Sequence, residues 1–347
     1  MRVGGGEDSA MLVLQITPTG PGGVSDCAQQ LQGYWHEGET RCQTLAVSAD
    51  SALSNILVEI LHSEPAAAIL LHFSGYGYAP RGLCRWLAED LARVLRVRPD
   101  ITLVTFFHEI FAKNAPPWRS GWWAKPEQQR IAADLSRLSD AVWTTTPENR
   151  DWLTRRAPVG KPIYVRPVIS NVGEVANPKP ASTRSYDAVL FGSSHSRRLS
   201  IQAPAFGRNL RDLGIRRLTE IGPGEPVGPI DCPIEFLGAL PPEKVSEILA
   251  DAGYGVTHYR PKLFGKSGVV AAYAAHGCAP LVTGHDRHRG LEGGCPYLHL
   301  RSARPQASDL DRIGAGAHAW YQPHRLARQA EELKALLLAD HRGVERP

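Results

Sequence analysis

The 347-residue chain contains no Cys-x-x-Cys pair. Its six cysteines, Cys27, Cys42, Cys84, Cys232, Cys278 and Cys295, are scattered. A thiolate zinc site or redox dithiol is not indicated, and reduced thiols in a cytoplasmic protein are expected. No apolar run is long enough to span a bilayer. Met11 to Ile16 is too short for a signal-peptide core and reads as a first strand. Excess charge is also missing. The formal net charge of +4 and pI near 8.7 are too weak to imply nucleic acid, so none is expected as a partner. No acidic pair or His/Cys set makes a metal site. His285, Asp286 and His288 crowd one loop without a frame to preorganise them, so metal and cofactor are both expected to be none.

Two nucleotide fingerprints are absent as well. Thr17 to Asp26 is a glycine-rich turn after a strand, but it lacks the spacing of a dinucleotide motif. Gly265-Lys266-Ser267 looks like the end of a P-loop, yet Arg260 stands where that motif needs glycine.

What is present is a soluble, globular composition, 43% hydrophobic and 21% charged, with length for two domains. Residues 1–10 are glycine-rich and polar and are expected to be disordered. Strands are expected at Met11–Ile16, Thr44–Val47, Ala67–Phe73, Ile101–Phe107, Ala141–Thr145 and Val159–Val165. Helical stretches lie between them. Phe111 to Pro126, with Trp118, Trp122 and Trp123, reads as a long aromatic loop before a helix from Glu127. Pro- and Ser-rich residues 169–185 read as a linker. A second series follows, with strands at Tyr186–Phe191, Arg217–Ile221, Ile234–Leu237, Tyr254–Tyr259 and Ala279–Val282. Alternation in both halves predicts α/β architecture, with two doubly wound domains facing a cleft.

Several loops follow strands, where open α/β sheets bind ligands. Gly22 and Gly23 let a ligand approach the backbone, although a plain tight turn explains them equally. Tyr76 and Tyr78 can stack on a sugar, or simply pack. Gly192 to Arg198 offers small residues and positive charge. After Lys266, Ser267 can cap an alanine-rich helix that Gly277 ends. A helix opening on Gly-Lys-Ser-Gly offers N–H groups, a positive dipole end and a lysine to a diphosphate. A capped crossover helix is the competing account.

Taken in order, these residues resemble the GT-B glycosyltransferases of family 4, over nearly the whole chain. Gly22-Gly23-Val24 is similar to the family's N-terminal glycine loop, and Phe107-His108-Glu109 to its strand-then-His motif. Arg197 and Arg198 fall near its phosphate-binding basic residue. The helix from Lys266-Ser267-Gly268 to Ala279-Pro280 resembles its donor-binding helix. One departure stands out. The family's two glutamates, registered on Gly277, fall on Phe264 and Ala272.

The resemblance implies a GT-B fold of two Rossmann-like domains, at residues 11–168 (acceptor side) and 186–320 (donor side). A C-terminal helix within 321–347 would cross back to the first domain. It implies metal-independent transfer from a nucleoside-diphosphate sugar to an acceptor hydroxyl. The acceptor, a glycan, lipid-linked or small molecule, is left open, as is peripheral membrane contact. His108 and Glu109 would be catalytic. Gly22, Gly23, Arg197, Arg198, Lys266, Ser267 and Gly268 would hold the donor diphosphate. Tyr76, Tyr78 and Trp118 would meet the acceptor. The missing glutamates motivate an alternative, a catalytically silent nucleotide-binding scaffold or activator. A GT-B epimerase is a third, for which Glu109 is the nearby acid.

Overall fold

The computed structural model describes residues 11–20, 22–38, 40–64, 67–113, 116–228, 230–284 and 294–339. The N-terminal ten residues and His285, Asp286 and His288 lie outside the described residues. Contacts divide the chain into two compact units, Met1–Arg166 with Gln329–Pro347, and Pro167–Arg328. Among the described residues no helix is long and apolar enough to cross a membrane.

The first unit is built on a six-stranded sheet. Its strands are β1 (Leu12–Pro18), β2 (Cys42–Val47), β3 (Ala67–Phe73), β4 (Thr102–Phe107), β5 (Ala141–Thr144) and β6 (Ile163–Val165). Their order is β2-β1-β3-β4-β5-β6 and every pairing is parallel. Strands covered on both faces read as unbroken apolar runs. β1, β3 and β4 are buried along their whole length, and Gln15 and His72 interrupt that apolar character. Helices α1 (Gly23–Glu37), α2 (Leu53–Ser63), α3 (Gly75–Tyr78), α4 (Arg85–Val97), α5 (Ser120–Leu138) and α6 (Pro147–Thr154) supply the connections. From Gln329 the last helix, Leu326–Leu338, belongs to this unit, as the resemblance implied. Trp35 Nε1 donates to Ala330 O at 3.2 Å, and Arg166 pairs with Glu332 at 2.7 Å.

α5 corrects one expectation. It begins at Ser120, so Trp122 and Trp123 are helical and Pro126 sits inside the helix. An interior proline normally breaks a helix. Here buried Gln128, on the next turn, accepts Ala112 N–H at 2.9 Å and donates to Arg81 O at 2.6 Å. Those tertiary bonds override the local signal.

The second unit repeats the plan with β7 (Tyr186–Phe191), β8 (Leu218–Ile221), β9 (Ile234–Phe236), β10 (Ala252–Thr257), β11 (Ala279–Val282) and β12 (Leu298–His299). The order is β12-β11-β10-β7-β8-β9, again all parallel. Its helices are α7 (Ser194–Ile201), α8 (Phe206–Asp212), α9 (Pro242–Ala250), α10 (Gly268–Ala275) and α11 (Ala307–Tyr321). Residues 169–185, read from sequence as a linker, carry little regular structure, yet Ile169, Val172 and Ala181 are buried within this unit.

Tyr273 of α10 is wholly buried on the middle of this sheet. Its hydroxyl lies 3.0 Å from Val256 O and accepts Phe191 N–H at 2.9 Å, so it straps β10 to β7. Glycine at 255 makes room for the ring. A Cβ there would lie 2.2 Å from Tyr273 Cγ. Gly255→Ala is therefore expected to destabilise by about 1–3 kcal/mol through overpacking. The check is the urea midpoint at unchanged slope. An unchanged midpoint would show that Tyr273 can move aside at little cost.

Candidate active site

In a parallel sheet all strands end on one edge, and ligands bind there where the strand order reverses. In the second unit β7 lies between β8 and β10, so the reversal falls between β7 and β10. Three loops meet at that point. Gly192 follows β7 and would place a Cβ 3.1 Å from Val269 of α10. Gly222 follows β8 with φ +147°, and a Cβ there would lie 2.0 Å from Gly192 O. His258 follows β10, and its Nδ1 is 3.4 Å from Ser196 Oγ of α7. Burial, with help from nearby His195, holds the His258 pKa below its ordinary value.

α10 opens here. Ser267 caps it by accepting Val270 N–H at 3.2 Å, and its own N–H donates to Phe264 O at 3.0 Å. Ser267 is buried and serves the helix as its cap. The next two N–H groups, of Gly268 and Val269, find no partner among the described residues. Half-buried Lys266 precedes them. Two donors and a positive helix end open on one edge, with a lysine next to them in the chain, an arrangement suited to an anion.

Arg197 is corrected too. It is fully buried and pairs with equally buried Glu220 at 2.7 Å. Its Nη1 donates to Gly192 O at 2.7 Å, and its Nη2 to Pro223 O and Glu225 O at 3.0 and 3.1 Å. Glu220 in turn accepts Val227 N–H. This guanidinium ties the loops after β7 and β8 together and shows no face to a ligand. Arg198, one position on, is exposed.

A groove of about 830 Å³ in the same unit is lined by Asp187, Ile215, Tyr254 and Arg304. It opens at the amino ends of the strands, away from the reversal point.

In the first unit the reversal falls between β1 and β3. Gly22 and Gly23, before and at the start of α1, are exposed, and a Cβ on either would meet nothing within 4 Å. Register sets His72 beside Phe106, so its ring faces His108 just past β4. His72 Nδ1 and His108 Nε2 are 3.1 Å apart, and His72 Nε2 is 2.8 Å from Gln15 Oε1. His108 also stacks on Phe106, with centroids 4.0 Å apart. Burial drives the His108 pKa down to about 3, and burial with its neighbour His108 drives His72 well below its ordinary value. Burial thus disfavours a charge on either ring. Cys27 Sγ lies within 4.8 Å of one ring nitrogen of each histidine, and burial pushes its thiol up to about 12, so it stays protonated. No sequence pattern brought Gln15, Cys27 and His72 together with His108.

The remaining expected residues separate. Glu109 is exposed beside His108. Tyr78 is buried and donates to His72 O at 2.8 Å, with Ile16 O at 3.1 Å. It braces β1 and β3 and cannot stack on an acceptor, a further correction. Tyr76 is half exposed, its hydroxyl accepting from Gln128 at 3.3 Å, and Trp118 is exposed. Phe264 and Ala272, at the glutamate positions of the family resembled, are both core residues.

Arg197→Ala is expected to cost about 3–5 kcal/mol, because Glu220 would be left buried without its cation. Chemical denaturation reads this directly. A variant of native stability with weakened nucleotide binding would return Arg197 to the ligand.

No family model and no curated protein sequence matches the chain. Solved structures do match in fold. One is an α-glucosyltransferase in complex with UDP and a 13-mer DNA containing a central A:G mismatch, at 9% identity and TM-score 0.56, covering 94% of this chain and 99% of that one. Another is MurG of Acinetobacter baumannii, at 11% identity and TM-score 0.52, covering 93% and 99%. A third is the UDP-GlcNAc 2-epimerase of Neisseria meningitidis bound to UDP-GlcNAc, at 11% identity and TM-score 0.55, covering 94% and 100%. The DNA in the first leaves the expectation of no nucleic-acid partner without support. At these identities the likeness is one of fold, and the fold of this chain is the two-domain α/β fold called GT-B.

Proposed function

We propose that the protein is a glycosyltransferase that uses a nucleoside-diphosphate sugar. The observation that carries the reading is the start of α10 at the reversal point of the second sheet, where the N–H groups of Gly268 and Val269 open beside Gly192 and directly follow Lys266 in the chain. They would hold the diphosphate and stabilise charge as it leaves, by preorganised donors and a fixed cation. That supplies the positive charge without requiring a metal. Exposed Arg198 would add to it, and His258, whose pKa burial lowers, would offer a hydrogen bond and not charge. In the first unit, His108 would address the sugar, and Gly22 and Gly23 leave backbone open to the donor. Trp118 and Tyr76 remain the acceptor-facing aromatics. The matched structures include UDP-sugar enzymes, which favours a uridine nucleotide. Six free, buried cysteines fit a reducing compartment such as the cytoplasm.

A second reading is a silent nucleotide-binding scaffold. It is favoured by Phe264 and Ala272, which bury apolar groups where the family resembled holds its donor through glutamates. An epimerase is the third, and Glu109 would be its acid. Product analysis separates the three, since only the transferase joins the sugar to an acceptor.

Lys266→Ala is expected to weaken binding of uridine diphosphate by tenfold to a hundredfold, the loss of a charge-assisted bond of roughly 1.5–3 kcal/mol. Melting temperature should change little. Calorimetric titration checks this. Native affinity in a folded variant would place the diphosphate elsewhere.

A further inference from the structure

The protonation of His108 can be worked out from the chain of bonds behind it. Gln15 begins the chain. Its Nε2 lies 3.0 Å from Ala28 O, a carbonyl that can only accept. It also lies 3.2 Å from Thr44 Oγ1, which spends its own proton on Gln32 Oε1 at 2.7 Å. Both neighbours need a donor, so the amide orientation is fixed and Oε1 faces His72. His72 Nε2 must then carry a proton to donate to Oε1 at 2.8 Å. A neutral His72 has one ring proton, so its Nδ1 is a bare lone pair. His108 Nε2, 3.1 Å away, must donate to it. A neutral His108 then has a bare Nδ1. That nitrogen has no protein partner among the described residues, on a side chain more than nine-tenths buried. The alternative, a charged His72 donating at both ends, would place a cation among β1, β3 and β4 with no carboxylate bonded to it, which burial opposes.

We propose that Gln15 and His72 are positioning residues that lock His108 as its Nε2–H tautomer, so that the atom it offers a ligand, Nδ1, is a hydrogen-bond acceptor matched to a sugar hydroxyl. A phosphate oxygen at neutral pH accepts and does not donate, so it is the wrong partner for this nitrogen. The relay thus assigns His108 to the sugar and leaves the diphosphate to other groups. The tautomer stands on the first unit alone, whereas the sugar assignment rests on the nucleotide-sugar reading above.

Long-range proton–nitrogen correlation spectra of the protein labelled with nitrogen-15 histidine test the tautomer without substrate. His72 and His108 should both show a protonated Nε2 and a bare Nδ1. A protonated Nδ1 on His108, or a charged ring at either site, overturns the proposal. So does one equivalent of zinc in the purified protein that Cys27→Ser abolishes, because both facing nitrogens would then be lone pairs on a metal. Gln15→Met and His72→Phe, each checked for a native melt, should mix the His108 tautomers. An unchanged His108 signal in either folded variant removes that residue from the relay.

The sugar assignment is tested by titrating UDP and UDP-GlcNAc into the same proteins. His72→Phe should leave UDP affinity within about twofold and weaken UDP-GlcNAc by about tenfold, the loss of one hydrogen bond. Equal weakening of both ligands overturns the assignment. If the wild type binds neither, the nucleotide-sugar reading and the hydroxyl assignment fall together, and the tautomer is still judged by the spectra.

Discussion

Wholly parallel pairing constrains everything else in this protein. It forces each strand to end on the same edge as its neighbours, and it forces each connection to return as a crossover. In both sheets the first strand has its successors on opposite sides, β2 and β3 around β1, and β8 and β10 around β7. Two crevices are thereby laid down by topology before any side chain is chosen. The residues with uncommitted polar groups gather at them, the N–H groups of α10 at one and His108 at the other.

Burying polar groups near such an edge costs stability unless each finds a partner. The chain meets that demand differently in its two units. In the second, one guanidinium binds a carboxylate and three loop carbonyls, and Arg197 becomes part of the frame. In the first, an amide and two buried imidazoles form a row of hydrogen bonds across β1, β3 and the end of β4. The first device fixes loop positions. The second fixes the direction of each proton and leaves one acceptor at its end.

Much of the architecture was legible in the sequence. Ala67–Phe73, Tyr186–Phe191 and Ala279–Val282 are strands at the expected bounds, because short apolar runs between turn residues have few other uses. Ser267 and Gly277 bracket α10 as local capping chemistry requires. What sequence could not supply was pairing at a distance. Arg197 looked like a ligand because its partner, Glu220, stands on another strand and nothing local couples them. Tyr78 looked like a stacking platform until β1 and β3 placed two carbonyls against its hydroxyl. Gln15 and His72 lie on two strands and His108 just past a third, and only the register makes them neighbours. Pro126 misled for the same reason, since the bonds that hold its helix come from Arg81 and Ala112.

Whether this edge chemistry serves a nucleotide sugar is decided most directly by turnover. The folded protein would be incubated with a panel of nucleoside-diphosphate sugars, and products read by mass spectrometry. The account predicts that at least one donor is consumed, with equimolar release of its nucleoside diphosphate and transfer of its sugar to water or an added acceptor. A panel recovered intact at saturating donor, from protein with a native melt, would contradict it.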